Sequence, residues 1–553
     1  MFAVVNQLCR MLNSPQRFLL LAVGLLLLPA LLTHLGLLAF YGDEGIRALV
    51  ALEMRISGNY ITPTMFGEFY YNKPPLYNWL LVVVFNFTGR TDEFIARLPT
   101  VFFLLAYAIT VWFFVKKHFP KNTSPDCHPE WSGQDLPTAN YPLLIPLALI
   151  TCGRILFWDS MLALIDTCFS WVVYAMFMVI FTQGEREKYG RLFGLAYLLA
   201  AIGFMLKGLP AVVFLGIALM AYFFWVKKWR PFFSLAHLGG LAVFGVVVGS
   251  YYLVYAQQNG GLSVVFSTLF SESAKRTFVE HGFGSTVLHL FTFPFEMWYH
   301  FLPWTLLVVY LLRKNALQLL RQQRFIAWNG LVLLTTILPY WASVEVYPRY
   351  LLMHVPLVFT VFFYLHFKNK EVGSPTVRWV EGIFQGLCWG LLAASFAPLL
   401  WPAVQHVPFL HLKVGFLAGA TGVLLWAYRR WEAQRMLTFV AVMLVARMAF
   451  NWFILPVRLE IDCNTQVRQT TLDAVQKLEG RPLFIYQESL GHEPVTGYYF
   501  TRETDEILRQ KQADFDTSAC YLLDSYRYEI RYKQLAKVKT LWQCGDLEVV
   551  KIK

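Results

Sequence analysis

The chain has 553 residues, of which 57% are hydrophobic, 17% aromatic and only 15% charged. Soluble domains carry about a quarter charged residues, so this composition excludes a purely soluble protein and fits helices solvated by lipid. The net charge of +12 does not point to a nucleic-acid partner, because Lys and Arg cluster at the ends of apolar runs, where membrane topology places them.

The first apolar run, Arg17 to Tyr41, is too long for a signal-peptide core and lacks a small-x-small cleavage site, so it is predicted to remain as a helix. About 20 apolar residues are needed per crossing. On that measure spans are predicted near 18–40, 95–115, 141–157, 162–182, 191–206, 209–226, 235–256, 300–312, 325–342, 350–366, 378–400, 408–427 and 437–455, about thirteen in all. The apolar segment 76–88 is short and is predicted as a juxtamembrane helix lying in the interface.

With the N-terminus inside, Lys116–Lys117, the Arg186 to Arg191 group, Lys227 to Arg230, Arg313 to Arg324, Lys368 with Lys370, and Arg429 to Arg435 all fall on the cytoplasmic side. The odd count then places the C-terminal domain outside. The expected organisation is a transmembrane part, 1–457, with an external first loop, 41–94, and a soluble α/β domain, 458–553. In that domain Thr465–Leu478 reads as a helix, and Pro482–Tyr486, Tyr498–Thr501, Ala519–Leu523 and Leu547–Ile552 read as strands. Cys463, Cys520 and Cys544 allow one disulfide with one cysteine left over. No internal repeat is evident.

Three groups of residues offer chemistry. Asp43 and Glu44 directly follow the first span, where a carboxylate pair supplies a general base or forms ordinary loop charge. Asp159 and Asp166 open the fourth predicted span, seven residues apart on one expected helix face; Arg154 is a structural partner within reach of Asp159. Isolated cations, Lys73, Lys207, Arg276 and Arg349, sit at outward corners with His281 and Tyr347 nearby, against the positive-inside bias. As a set they suit an anionic ligand such as a phosphate, although structural pairing with nearby acids explains any one of them.

Asp43-Glu44, Glu53-Met54, Ser57-Gly58-Asn59-Tyr60, Pro63 and Asn72-Lys73-Pro74-Pro75-Leu76 together resemble the first periplasmic loop of the aminoarabinose transferase family, which is related to the protein O-mannosyltransferases. Arg97-Leu98-Pro99, Arg154 with Asp159, Lys207-Gly208-Leu209-Pro210, Leu302-Pro303-Trp304 and Arg349-Tyr350-Leu351-Leu352 continue the resemblance in order, over roughly residues 17–360. Two departures stand out. Asn72 occupies a position where the family often has an acid, which leaves a metal ligand there without support. Arg47 falls one residue later than the family's Asp-Glu-x-Arg spacing.

The resemblance implies a type-C glycosyltransferase fold, all-α and polytopic with a small C-terminal α/β domain. It also implies a donor sugar linked to a polyprenyl phosphate, of the undecaprenyl kind, in a bacterial inner membrane. Asp43 would be the central catalytic carboxylate, joined by Asp159. Lys73, Arg276 and the Tyr347–Arg349 corner would hold the donor phosphate. Glu44, Arg47, Tyr71, Arg97, Asp166, Lys207 and His281 complete the expected substrate-binding set. No cofactor is required on this reading, and a divalent metal has no support in the sequence. The acceptor would be lipid A or another surface glycan. Alternatives are a protein O-mannosyltransferase-like activity and, in a different class, a lipid-linked sugar flippase or secondary transporter. Transporter sites favour the bilayer midplane and repeated halves, whereas here the ionisable residues collect at one face.

Overall fold

The computed structural model describes residues 14–119, 141–274, 283–491, 493–541 and 544–552. The chain is a polytopic helical membrane protein with a small C-terminal sheet domain. Eight helices among the described residues are long and apolar enough to cross a membrane: Pro15–Leu32, Glu93–His118, Ile165–Gly184, Tyr189–Lys207, Leu235–Asn259, Pro375–Leu399, Leu410–Arg430 and Glu432–Ile461. A ninth crossing is formed if Pro142–Thr151 and Gly153–Met161, bent by 47°, are one span.

The expected count of thirteen is not matched by helices of spanning length. Near 209–226 and 350–366 the helices have 17 residues each, Pro210–Val226 and Val355–Glu371. The region 300–312 holds a 3₁₀ helix, Trp304–Leu312, and 325–342 is divided into Arg324–Thr336 and Leu338–Trp341. Nine residues of 3₁₀ helix reach about 18 Å, well short of a hydrocarbon core of about 30 Å.

In chain order the elements that build the site are α1 (Pro15–Leu32), α2 (Asp43–Ser57), α3 (Leu76–Thr88), α4 (Glu93–His118), α5 (Ile165–Gly184), α6 (Tyr189–Lys207), α7 (Pro210–Val226) and α8 (Leu235–Asn259). The capping signals are local. Asp92 accepts from the Phe94 and Ile95 amides to start α4, which ends on Lys116, Lys117 and His118, cations suited to a helix C-terminus. Pro15 and Pro210 open their helices at a position where no amide hydrogen is needed. Helix α3, at 13 residues, is about 20 Å long and too short to span.

Alternation of direction brings the α5 start, the α6 end and the α7 start to one end of the bundle. Asn259 at the end of α8 reaches that same end, donating to Thr62 of the first loop at 2.9 Å, and Tyr251 donates to the Ile61 carbonyl at 2.8 Å. The opposite end carries basic connections tied by Arg324–Glu185 and Lys228–Glu187, each at 2.5 Å.

One charge is buried deep in the helical core. Arg447, in α9 (Arg435–Ala449), is fully buried and donates to the carbonyls of Ala30 and Leu156. Both carbonyls lie in final helical turns, whose acceptors have no partner within their own helix. A guanidinium there satisfies two helix ends at once.

The C-terminal domain packs α10 (Cys463–Gln476) against the Tyr532–Lys539 strand of a five-stranded sheet and α11 (Pro494–Thr504) against α10 and α2. After a small hairpin in the first loop, β1 (Thr64–Met65) and β2 (Glu68–Phe69), the sheet strands are β3 (Leu483–Tyr486), β4 (Arg509–Lys511), β5 (Cys520–Leu523), β6 (Tyr532–Lys539) and β7 (Asp546–Ile552), in spatial order β4-β3-β5-β7-β6. The β3 pairings are parallel, and the β7 pairings are antiparallel. Tyr498–Thr501, expected as a strand, lies inside helix α11. Pro494 at its first turn and burial of the Val495–Thr501 run against its neighbours outweigh the strand preference of Tyr-Tyr-Phe-Thr. Cys463 and Cys544 are disulfide-bonded, and Cys520 is a free, buried cysteine.

Candidate functional site

Asp43 stands at the first residue of α2, one position after Gly42, whose φ of 53° turns the chain sharply out of the first span. An acid there is favoured by the helix N-terminus. Asp166 occupies the equivalent first turn of α5, and Lys207 the last turn of α6, so each charge suits the helix end that carries it. These ends border a polar cavity of about 180 Å³ lined by Asp43, Arg47, Asn72, Lys73, Asp166 and Lys207, with Tyr70 and Tyr350 among its walls.

The cavity is wired by short ion pairs. Lys207 Nζ lies 2.5 Å from Asp166, and the Arg349 guanidinium bridges Asp43 at 2.6 Å and Asp166 at 3.5 Å. Lys207 also sits 3.9 Å from the centre of the Tyr350 ring, a cation–π geometry that holds the ammonium without consuming a donor. Arg47, only 5% exposed, donates through Nη2 to the Tyr70 hydroxyl at 2.6 Å, while its Nη1 finds no hydrogen-bond acceptor among the described residues. Four cations (Arg47, Lys73, Lys207 and Arg349) therefore face two carboxylates, and a buried guanidinium donor is left over. Such a site suits an anion.

Other expected site residues lie elsewhere. Glu44 and Arg97 form a buried clamp. Arg97 uses all five of its N–H donors: two on Glu44, and one each on the carbonyls of Leu35, Leu38 and Ala39, all at 2.9–3.0 Å. Glu44 in turn accepts from the Tyr41 and Ala163 amides at 2.9 and 2.7 Å. Neither group has capacity left for a substrate, so this pair fixes the first loop to α4 and to the turn before α5.

Asp159 does not share a helix face with Asp166. It lies in a 3₁₀ turn, Asp159–Met161, six residues ahead of the α5 start, and both its oxygens meet Arg154 Nε at 3.1 Å. Tyr71 turns away toward Phe69 and the Tyr255 hydroxyl, and its neighbour Tyr70 supplies the cavity wall instead. Tyr347 is exposed at the corner, with the Arg349 guanidinium 4.5 Å from its ring centre. Arg276 and His281 lie outside the described residues.

Tyr70, Asn72 and Tyr350 are the polar wall residues not singled out from the sequence as site residues. The signal for Tyr70 was Arg47 itself, a loop cation close to the apolar core that needs a polar neighbour. Among the described residues no group of three or more His, Cys, Asp or Glu side chains is arranged to hold a metal ion.

No family model and no curated protein sequence matches the chain. Its fold is similar to two crystal structures of ArnT from Cupriavidus metallidurans. The one bound to undecaprenyl phosphate gives a TM-score of 0.66 at 16% identity, covering 97% of this chain and 98% of that one. The apo structure gives 0.63 at the same identity and coverage. The chain thus has the ArnT-like fold that its first-loop motifs implied.

Proposed function

We propose that this chain is a glycosyltransferase that moves a sugar from a polyprenyl-phosphate carrier to an acceptor on the outer side of a bacterial inner membrane, the acceptor being lipid A or another surface glycolipid. The observation that carries this reading is the cation-rich cavity beside Asp43, with one buried Arg47 donor unspent. The likeness to an ArnT structure bound to undecaprenyl phosphate supports the same ligand class.

The donor phosphate binds among Lys73, Lys207 and Arg349. An apolar groove lined by Phe293, Met297, Trp298 and Trp341 receives part of the prenyl chain. Its Trp341 adjoins Tyr340, whose ring stacks on the cavity's Tyr350 at 6.1 Å. Arg349 ties up Asp43 in the ground arrangement; an arriving phosphate competes for that guanidinium and releases the carboxylate. The acceptor oxygen then attacks the anomeric carbon, the bond from that carbon to the phosphate oxygen breaks, and polyprenyl phosphate leaves with its charge held by the cations. A hydroxyl acceptor gives its proton to Asp43, whereas a phosphate acceptor is already ionised and needs only orientation. One displacement of this kind inverts the anomeric centre.

The test is mass spectrometry of lipid A from the host with and without the gene. A sugar increment lost on deletion, and restored by wild type but not by Asp43→Asn, supports the reading. An unchanged lipid A with an altered protein glycan moves the acceptor to protein. An unchanged glycan profile throughout removes the transferase reading in favour of a transporter.

A further inference from the structure

The site helix α2 is gripped from behind by the C-terminal domain. Gly45 lies between Asp43 and Arg47, and a Cβ placed on it would stand 2.5 Å from Val495 Cγ2 and 2.9 Å from the Val495 backbone nitrogen. The backbones of α2 and α11 thus meet in direct contact, one turn from the cavity. Three side chains of the domain then converge on one buried carboxylate of the membrane part. Glu93 accepts from the Tyr499 hydroxyl at 2.8 Å and from Arg468 at 3.0 Å, with Arg502 at 3.8 Å. The Tyr499 oxygen also accepts from the Phe40 amide at 3.1 Å, three residues before Asp43.

A third contact closes the grip. Phe66, at the β1–β2 turn, packs on Gly497 of α11 so closely that no side chain fits there. That turn is itself held to α2 by Glu53, which accepts from the Thr64 hydroxyl and the Phe66 and Gly67 amides at 2.7, 2.6 and 3.1 Å. Contacts before, within and after α2 therefore all depend on one helix of the C-terminal domain.

We propose that the C-terminal domain is a positioning element of the site: Tyr499, through Phe40 and Glu93, and Val495, against Gly45, hold the first turn of α2 and with it Asp43 and Arg47. None of these domain residues lines the cavity, so they act through α2 and are not catalytic residues. The inference rests on the proposed role of Asp43 for its effect on turnover, but the grip itself is measurable without any reaction.

The experiment compares full-length wild type, Tyr499→Phe and Glu93→Gln in detergent, by hydrogen–deuterium exchange over residues 43–57 and by transfer kinetics. Tyr499→Phe keeps the ring and removes only the bridging oxygen. Faster exchange confined to 43–57 and its neighbours, with kcat lowered at least about tenfold and donor KM nearly constant, is the expected result, because small displacements of a reacting group cost turnover more than binding. Unchanged exchange over 43–57 in both variants overturns the proposal whatever happens to turnover. If wild type transfers no sugar, the functional reading fails, and the exchange comparison still decides whether the domain holds α2.

Discussion

Arg97→Lys separates a clamp from a substrate contact. Arg97 and Glu44 are 3% and 0% exposed, and the guanidinium spends five donors on two carboxylate oxygens and three carbonyls. Lysine keeps the charge but has three donors on a flexible stem, so at least two of those acceptors lose their partner. At about 1.5–3 kcal/mol for each hydrogen bond to a charged group, the substitution costs about 3–6 kcal/mol. That is a large share of a typical folding free energy of about 5–15 kcal/mol. The expected outcome is a markedly lower melting temperature in detergent and reduced yield of monodisperse protein, with turnover falling alongside the folded fraction. A variant that melts like wild type yet binds donor many-fold more weakly would refute the clamp and return Arg97 to the substrate.

Lys207→Met removes the shortest ion pair of Asp166, leaving the longer Arg349 contact, and takes a cation from the cavity, so transfer is expected to fall about 10²- to 10³-fold; activity within twofold of wild type would exclude Lys207 from the site. Replacing both Cys463 and Cys544 by Ser opens a loop of sequence separation 81, which should destabilise the C-terminal domain by about 4 kcal/mol and expose it to limited proteolysis; equal protease resistance would count against that. Burial pushes the Glu53 carboxyl up from its ordinary value of 4.5, against the lowering effect of its hydrogen bonds. The folded state therefore holds this proton to higher pH than the unfolded chain, so stability falls as pH rises from about 4.5 through the raised folded value. Glu53→Gln should flatten that slope, and an unchanged pH profile of melting would contradict the assignment.

Much of the fold was legible because its signals are local. The span expected at 95–115 is observed as Glu93–His118, bounded by the Asp92 cap and the Lys-Lys-His end, and the one expected at 235–256 is observed as Leu235–Asn259. The elements that escaped depend on partners distant in sequence. Strand β6, Tyr532–Lys539, carries three lysines and a glutamine and reads as polar until the face with Ala536 and Val538 is buried where the strand packs against α10. The segments near 300–342 read as apolar crossings, yet break into 3₁₀ and short α pieces that composition does not distinguish from a full helix.

The site was legible as a set of charges and not as a division of labour. In sequence Arg47, Arg97, Lys207 and Arg349 are all isolated cations, in the first loop, at the start of a predicted span or at outward corners, and nothing local ranks them. What separates them is how many donors the fold consumes. Arg97 has none left, Lys207 and Arg349 are shared with carboxylates that line or border the cavity, and Arg47 keeps a buried N–H that meets no acceptor among the described residues. The same test divides the acids. Glu44 is saturated by four donors and Asp159 is held by Arg154, whereas Asp43, half exposed, is tied among the described residues to the Arg349 that a phosphate would attract. A carboxylate that a ligand can release is the one placed to act on that ligand's reaction, which is why Asp43, and not its better-buried neighbour, is the residue on which the proposed chemistry turns.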